Sequence, residues 1–206
     1  MAPIPMWLKV VYTLFVVVWV PAVVVHYGAT NFLWFCDVAN FLILLALWRS
    51  SPLLFSAQAV GVMLFQALWW VDYFGRLLLG FHPIHGTEYM FDPELALWLR
   101  SLSLFHLVVP FLLLWALARL GYDRRGWQLQ VVLGALLFAL CGWISTPDLN
   151  LNWVNAPFGM EQVWLPHWLY VLVAWAACSA VVFYGTHRLL LALARWRGWR
   201  IWGEGS

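Results

Sequence analysis

The stretch "NFLWFCDVANFLILLALW", residues 31–48, reads as a membrane-spanning helix with a charge set into it. Asp37 and Asn40 interrupt a run that is otherwise almost wholly apolar. An ionised side chain in hydrocarbon is costly, and such residues face the protein interior or a water-filled cavity. Asp37 therefore needs a partner or a polar compartment, and neighbouring helices must supply it.

The rest of the chain supplies those helices. Its 206 residues are 65% hydrophobic and 10% charged, with 17 Trp, whereas a soluble domain carries about 25% charged residues. No two-layer globule hides that much apolar surface, so the solvent is lipid. Six windows approach or exceed the roughly 20 residues a span requires: 7–25, 32–48, 53–74, 96–119, 127–145 and 164–191. The expected fold is all-α, a single six-helix transmembrane domain over 1–206. Lys9 before an apolar run resembles a secretory leader. That run continues to Val25 and into "HYGATN" with no small-x-small cleavage pattern, so it is read as a helix.

Basic residues orient the bundle. Lys9, Arg49, Arg119, Arg124, Arg125, Arg188, Arg195, Arg197 and Arg200 fall on one side, and only Arg76 and Arg100 toward the other. By the positive-inside rule both termini are cytoplasmic, as an even helix count requires. The setting expected is the cell's inner membrane. The net charge of +2 and the absence of a basic block give no sign of nucleic acid. Cys36, Cys141 and Cys178 lack CxxC spacing, so neither a disulfide framework nor a zinc site is expected. HExxH, GxSxG and P-loop motifs are missing. Haem would need histidines at matched depth on facing helices, whereas His106 is placed near the midplane and His167 near the rim. No metal and no cofactor are expected.

Depth sorts the polar groups. Seven of nine acids (Asp37, Asp72, Glu88, Asp92, Glu94, Asp148 and Glu161) lie in the outer half or its loops. At 1.5 Å per residue, Asp37 is about 9 Å below the outer loop and Asn40 about 14 Å. Helix three carries Gln66 and Asp72 among Trp69, Trp70 and Tyr73. In "LRSLSLFHLVVP", Arg100, Ser103 and His106 descend at three-residue spacing, His106 to about 15 Å. Asn150, Asn152 and Trp153 stand at the rim after helix five. Together these residues predict a polar cavity open to the outer side above a dry plug of Leu, Val and Ala. Asp37 and Arg100, at similar depths, are expected to pair.

In this order the motifs resemble a bacterial "membrane-associated protein" group of unassigned role, through "HYGATNFLWFCD", "YMFDPELALWLRSLSLFH" and "LGYDRR". More distantly, "LWFCD", "SLSLFHLVVPFLLLW" and "NLNW" are similar to the YwaF-like multi-pass family. A eukaryotic relative of that family is regarded as a phospholipid acyltransferase, and androgen-induced-gene hydrolases have a comparable layout. In place of the family's "GPWPWY"-type run, the last loop has "APFGMEQVWLP". The resemblance implies Cys36 as nucleophile and His106 as general base in an intramembrane lipid acyltransferase or ester hydrolase. Asp37, Asn40, Asp72, Arg100 and Ser103 would orient polar groups. Asn150, Asn152 and Trp153 would close over a headgroup or donate to an oxyanion. The competing class is a non-enzymatic lipid- or solute-binding membrane protein, or a subunit of a membrane complex, whose polar groups specify packing. Membrane lipid is the expected partner in both, with a second copy or a complex partner as the protein candidate.

Overall fold

The computed structural model describes residues 3–203. Helix α1 (Met6–Tyr27) leads through a 3-10 turn (Ala29–Leu33) into α2 (Phe35–Arg49). A two-residue hairpin then starts α3 (Pro52–Leu79). After a long loop come α4 (Leu97–Leu102), α5 (Phe105–Leu120), α6 (Gly126–Ile144), α7 (His167–Ala177) and α8 (Tyr184–Trp196). A kink at Ser103–Leu104 joins α4 to α5, and a π-helical stretch (Cys178–Phe183) joins α7 to α8. Six helical rods result, each overlapping one of the expected windows.

Five of the rods are long and apolar enough to cross a membrane: Met6–Tyr27, Pro52–Leu79, Leu97–Leu120, Gly126–Ile144 and His167–Trp196. The exception is α2. Its 15 residues span about 22 Å, short of a ~30 Å hydrocarbon core. It begins three residues later than its window because residues 29–33 wind as a 3-10 turn. Asp37 is thereby in the first helical turn, where the N-terminal end of the helix dipole favours a negative charge.

Helix α3 is the axis. It packs on α2, α5, α6 and α8, and residues 55–62 along it, "FSAQAVGV", are all buried. Between helices in lipid there is no hydrophobic drive to associate, so small residues that permit close approach take its place. At Gly126 an added Cβ would stand 2.7 Å from Ser56 Cβ and 2.8 Å from the Ala57 nitrogen. Even a methyl group would force α3 and α6 apart.

Both ends of the described chain meet at one end of the bundle. The Arg119 Nε–H donates to the Pro3 carbonyl at 3.2 Å. Tyr122–Asp123 (β1) and Ile201–Trp202 (β2) pair as a two-residue parallel bridge, a small departure from an all-α chain. Beneath it lies a polar knot. The Tyr122 hydroxyl and His187 Nδ1 are 2.7 Å apart, and Ser56 Oγ accepts from the Asp123 N–H at 2.8 Å. Arg125 holds the Asp123 carboxylate through Nε and Nη2 at 3.0 and 2.8 Å.

Burial alone would raise the Asp123 carboxyl. The hydrogen bonds and charge of Arg125 outweigh it and hold the group below its ordinary value. A depressed acid stabilises the fold above its unfolded value, about 3.9, and that stabilisation fades as pH falls toward the folded one. Asp123→Asn is therefore expected to lower the melting temperature at pH 7. It should also blunt the wild type's decline in melting temperature below about pH 4. Equal melting curves across that range would contradict the assignment.

Candidate functional site

At the opposite end of the bundle, two of the predicted site residues, Asp72 and Arg100, hold the loop 80–96. Its organising group is Asp72, 1% exposed near the C-terminal end of α3. Oδ1 accepts the backbone N–H groups of Ile84 at 2.7 Å and His85 at 3.0 Å. Oδ2 accepts those of Gly86 at 3.0 Å and Thr87 at 2.9 Å, together with the Thr87 hydroxyl at 2.7 Å. His82 Nδ1 lies 3.1 Å from the same oxygen. One carboxylate thus folds residues 82–87 around itself, with His85 held at φ 61°.

Asp72, His82 and Glu88 bring potential metal-ligand atoms within 4.8 Å of one another. The donor set does not suit a cation. A carboxylate offers about four lone-pair directions, and six donors already crowd them. The four peptide N–H groups cannot turn away without unwinding the loop.

The loop continues over the helix ends. The Tyr89 hydroxyl accepts from Trp69 Nε1 at 3.2 Å. Burial pushes this phenol well above its ordinary value, Ser103 and Trp69 pull it down, and nearby Asp37 raises it further. It therefore stays protonated. The Met90 carbonyl accepts from Arg100 Nη1 at 2.9 Å.

The expected Asp37–Arg100 ion pair does not form. Asn31, from the turn before α2, donates its Nδ2–H to Asp37 Oδ2 at 2.7 Å. The late start of α2 is the physical reason, because it puts a local amide in reach and leaves Arg100 to the loop. Asn40 pairs with α1, its Oδ1 accepting from the Tyr12 hydroxyl at 2.7 Å.

His106 opens α5, with Nδ1 2.9 Å from the Ser103 carbonyl. A carbonyl only accepts, so Nδ1 carries the proton and the neutral ring keeps its lone pair on Nε2. The ring stacks between Trp69 and Phe105, at 4.8 and 4.1 Å between centroids. Cys36 is half-buried and packs against the hydrophobic core. Among the described residues no hydrogen bond joins Cys36 to His106.

The rim residues are committed to backbone. Asn152 Oδ1 accepts from Phe35 N–H at 3.0 Å, and its Nδ2 donates to the Leu33 carbonyl at 2.7 Å. It caps α2 from 117 residues away. Asn150 Oδ1 accepts from the Asn155 and Ala156 N–H groups, and its Nδ2 donates to the Ala156 carbonyl. Trp153, at φ 59°, packs its ring at a tilt against Phe158 and offers its carbonyl to Tyr170.

The chain matches no protein-family model, no curated protein and no solved structure. Its geometry must carry the functional reading. Sequence reasoning missed Asn31, Tyr12 and Tyr89, which lie in or beside spans where a single amide or phenol is unremarkable. It also missed Gln58 and Gln130. Both interrupt apolar runs as plainly as Asp37, and a search for amides as well as charges would have found them.

Asp72→Asn would turn an amide N–H₂ toward peptide N–H groups, each buried donor left unpaired costing about 1–3 kcal/mol. We expect a stability loss of about 2–4 kcal/mol and rapid proteolysis within residues 81–87. Wild-type resistance in the variant would contradict the anchoring role.

Proposed function

We propose that this helical membrane protein holds a lipid and does not transform one. The observation that carries this reading is the state of the supposed catalytic pair. The Cys36 thiol has no hydrogen-bonded base, while His106 is fixed by a backbone carbonyl and two aromatic faces. An activated nucleophile needs its base within hydrogen-bond reach. Most of the groups that would orient a substrate or stabilise an oxyanion are engaged with helix ends, loops or a neighbouring helix. Lipid binding draws on a different feature, a half-open cleft of about 180 Å³ floored by α3 and walled by α2 and α6.

One observation favours the acyl-transfer reading suggested by the family resemblance. His106 Nε2 retains a lone pair, as a general base requires. Cys36→Ser and His106→Ala separate the two. We expect both variants to fold and to retain co-purifying lipid, and Cys36 labelling by a thiol probe to be indifferent to His106→Ala. Loss of a lipid-directed turnover in both folded variants would contradict this and restore the enzyme.

We further propose six crossings with both termini cytoplasmic in the inner membrane, α2 crossing together with the turn at 29–33. The shared location of the two chain ends and the basic residues near them support it. A periplasm-dependent reporter should be active when inserted between the exposed Met160 and Glu161 and silent at the C-terminus. The reverse pattern would overturn the orientation.

A further inference from the structure

The cleft between α2, α3 and α6 has a chemical peculiarity. Its walls are apolar, with Val38 and Leu42 from α2 and Leu133, Leu136 and Leu140 from α6. Two amides, Gln58 and Gln130, line it as well, at only 2% and 3% exposure. Among the described residues neither side chain makes a hydrogen bond. Buried polar groups in native proteins are almost always satisfied, and in hydrocarbon water does not reach them freely.

Their placement is built in. An added Cβ on Gly61 would stand 2.4 Å from Cδ and Nε2 of Gln130, so the bare glycine lets that amide lie flat on α3. Gln58 is three residues before Gly61, on the same helical face. Both amides line the one cleft, Gln58 about 9 Å from the start of α3 and Gln130 about 6 Å from the start of α6. Both depths are measured from the arginine-rich end. From Gln130 the leucine wall continues for about 15 Å along α6 to Leu140.

We propose that this cleft binds a neutral long-chain lipid carrying a hydroxyl group, with the hydroxyl between Gln58 and Gln130 and the chain along the α2–α6 wall. This rests on the lipid-binding reading and names its ligand class. Each amide offers one acceptor oxygen and a donor nitrogen whichever way it is turned. The matching group both donates and accepts, as a hydroxyl does and an ester carbonyl does not. A charged group is disfavoured, since no ionisable side chain lines the cleft. The half-open side, where Leu136 and Leu140 are exposed, gives a chain lateral entry from the bilayer.

The test uses purified full-length protein in phosphatidylcholine nanodiscs and a long-chain fatty alcohol bearing a tail diazirine. Photolabelling is expected within residues 38–42 and 133–140. Unlabelled alcohol should compete about tenfold better than the matched alkane, the margin of a well-made hydrogen bond out of water. In Gln58→Leu/Gln130→Leu that margin should vanish while the melting temperature stays equal or rises, because unpaired amides are replaced by apolar groups of similar size. Equal competition by alkane, labelling elsewhere, or a margin that survives the double substitution would overturn the proposal. If a phospholipid probe takes the cleft instead, the hydroxyl ligand falls and lipid binding stands. If no lipid probe labels any site above bulk, both fall.

Discussion

A peptide N–H that leaves a helix near the membrane has few partners to turn to, and an unsatisfied one costs several kcal/mol in hydrocarbon. This constraint organises the molecule. Asp72 collects four loop N–H groups, Asn152 takes the first N–H of α2, and Asn150 closes the turn at 155–156. Each is a polar residue where a hydrophobic one would be cheaper in isolation. Their positions are set by where the backbone stops being helical.

The two ends of the bundle solve the problem differently. At the loop end, side chains from the helices reach up to hold long connections. At the terminal end the connections are short, and backbone pairs with backbone through the bridge of Tyr122–Asp123 with Ile201–Trp202. Between them, "FSAQAVGV" in α3 lets neighbouring helices come close. That closeness leaves the cleft as a local exception, where leucines on α6 and the short α2 fail to meet over two amides.

Much of this was legible in the sequence. Hydropathy located all six rods to within a few residues at most ends, since a membrane demands long apolar runs. The loop-end clustering of acids was also visible, and Asp72 was among the residues singled out. Its role was not legible, because a carboxylate that binds substrate and one that binds its own loop look the same until the loop is folded. Asp37 was misplaced for a local reason. Phe32, Leu33 and Trp34 are apolar enough to be counted into the 32–48 window, yet the 3-10 turn over Ala29–Leu33 delays α2 to Phe35. Once the start moves, Asn31 replaces Arg100 as the partner. The C-terminal bridge left no trace in "WRGWRIW", where two residues of strand are too few for a pattern.

Most of the polar residues at the loop end act as backbone anchors, and amide hydrogen exchange on the wild-type protein in lipid addresses this claim most directly. The N–H groups of Ile84, His85, Gly86 and Thr87 lie in a loop, and that of Phe35 is an orphan at a helix start. The account predicts that all five exchange as slowly as the interior of α3, despite their non-helical or terminal positions. Exchange at the rates of an open loop would contradict it and return Asp72 and Asn152 to the pool of groups available for a ligand.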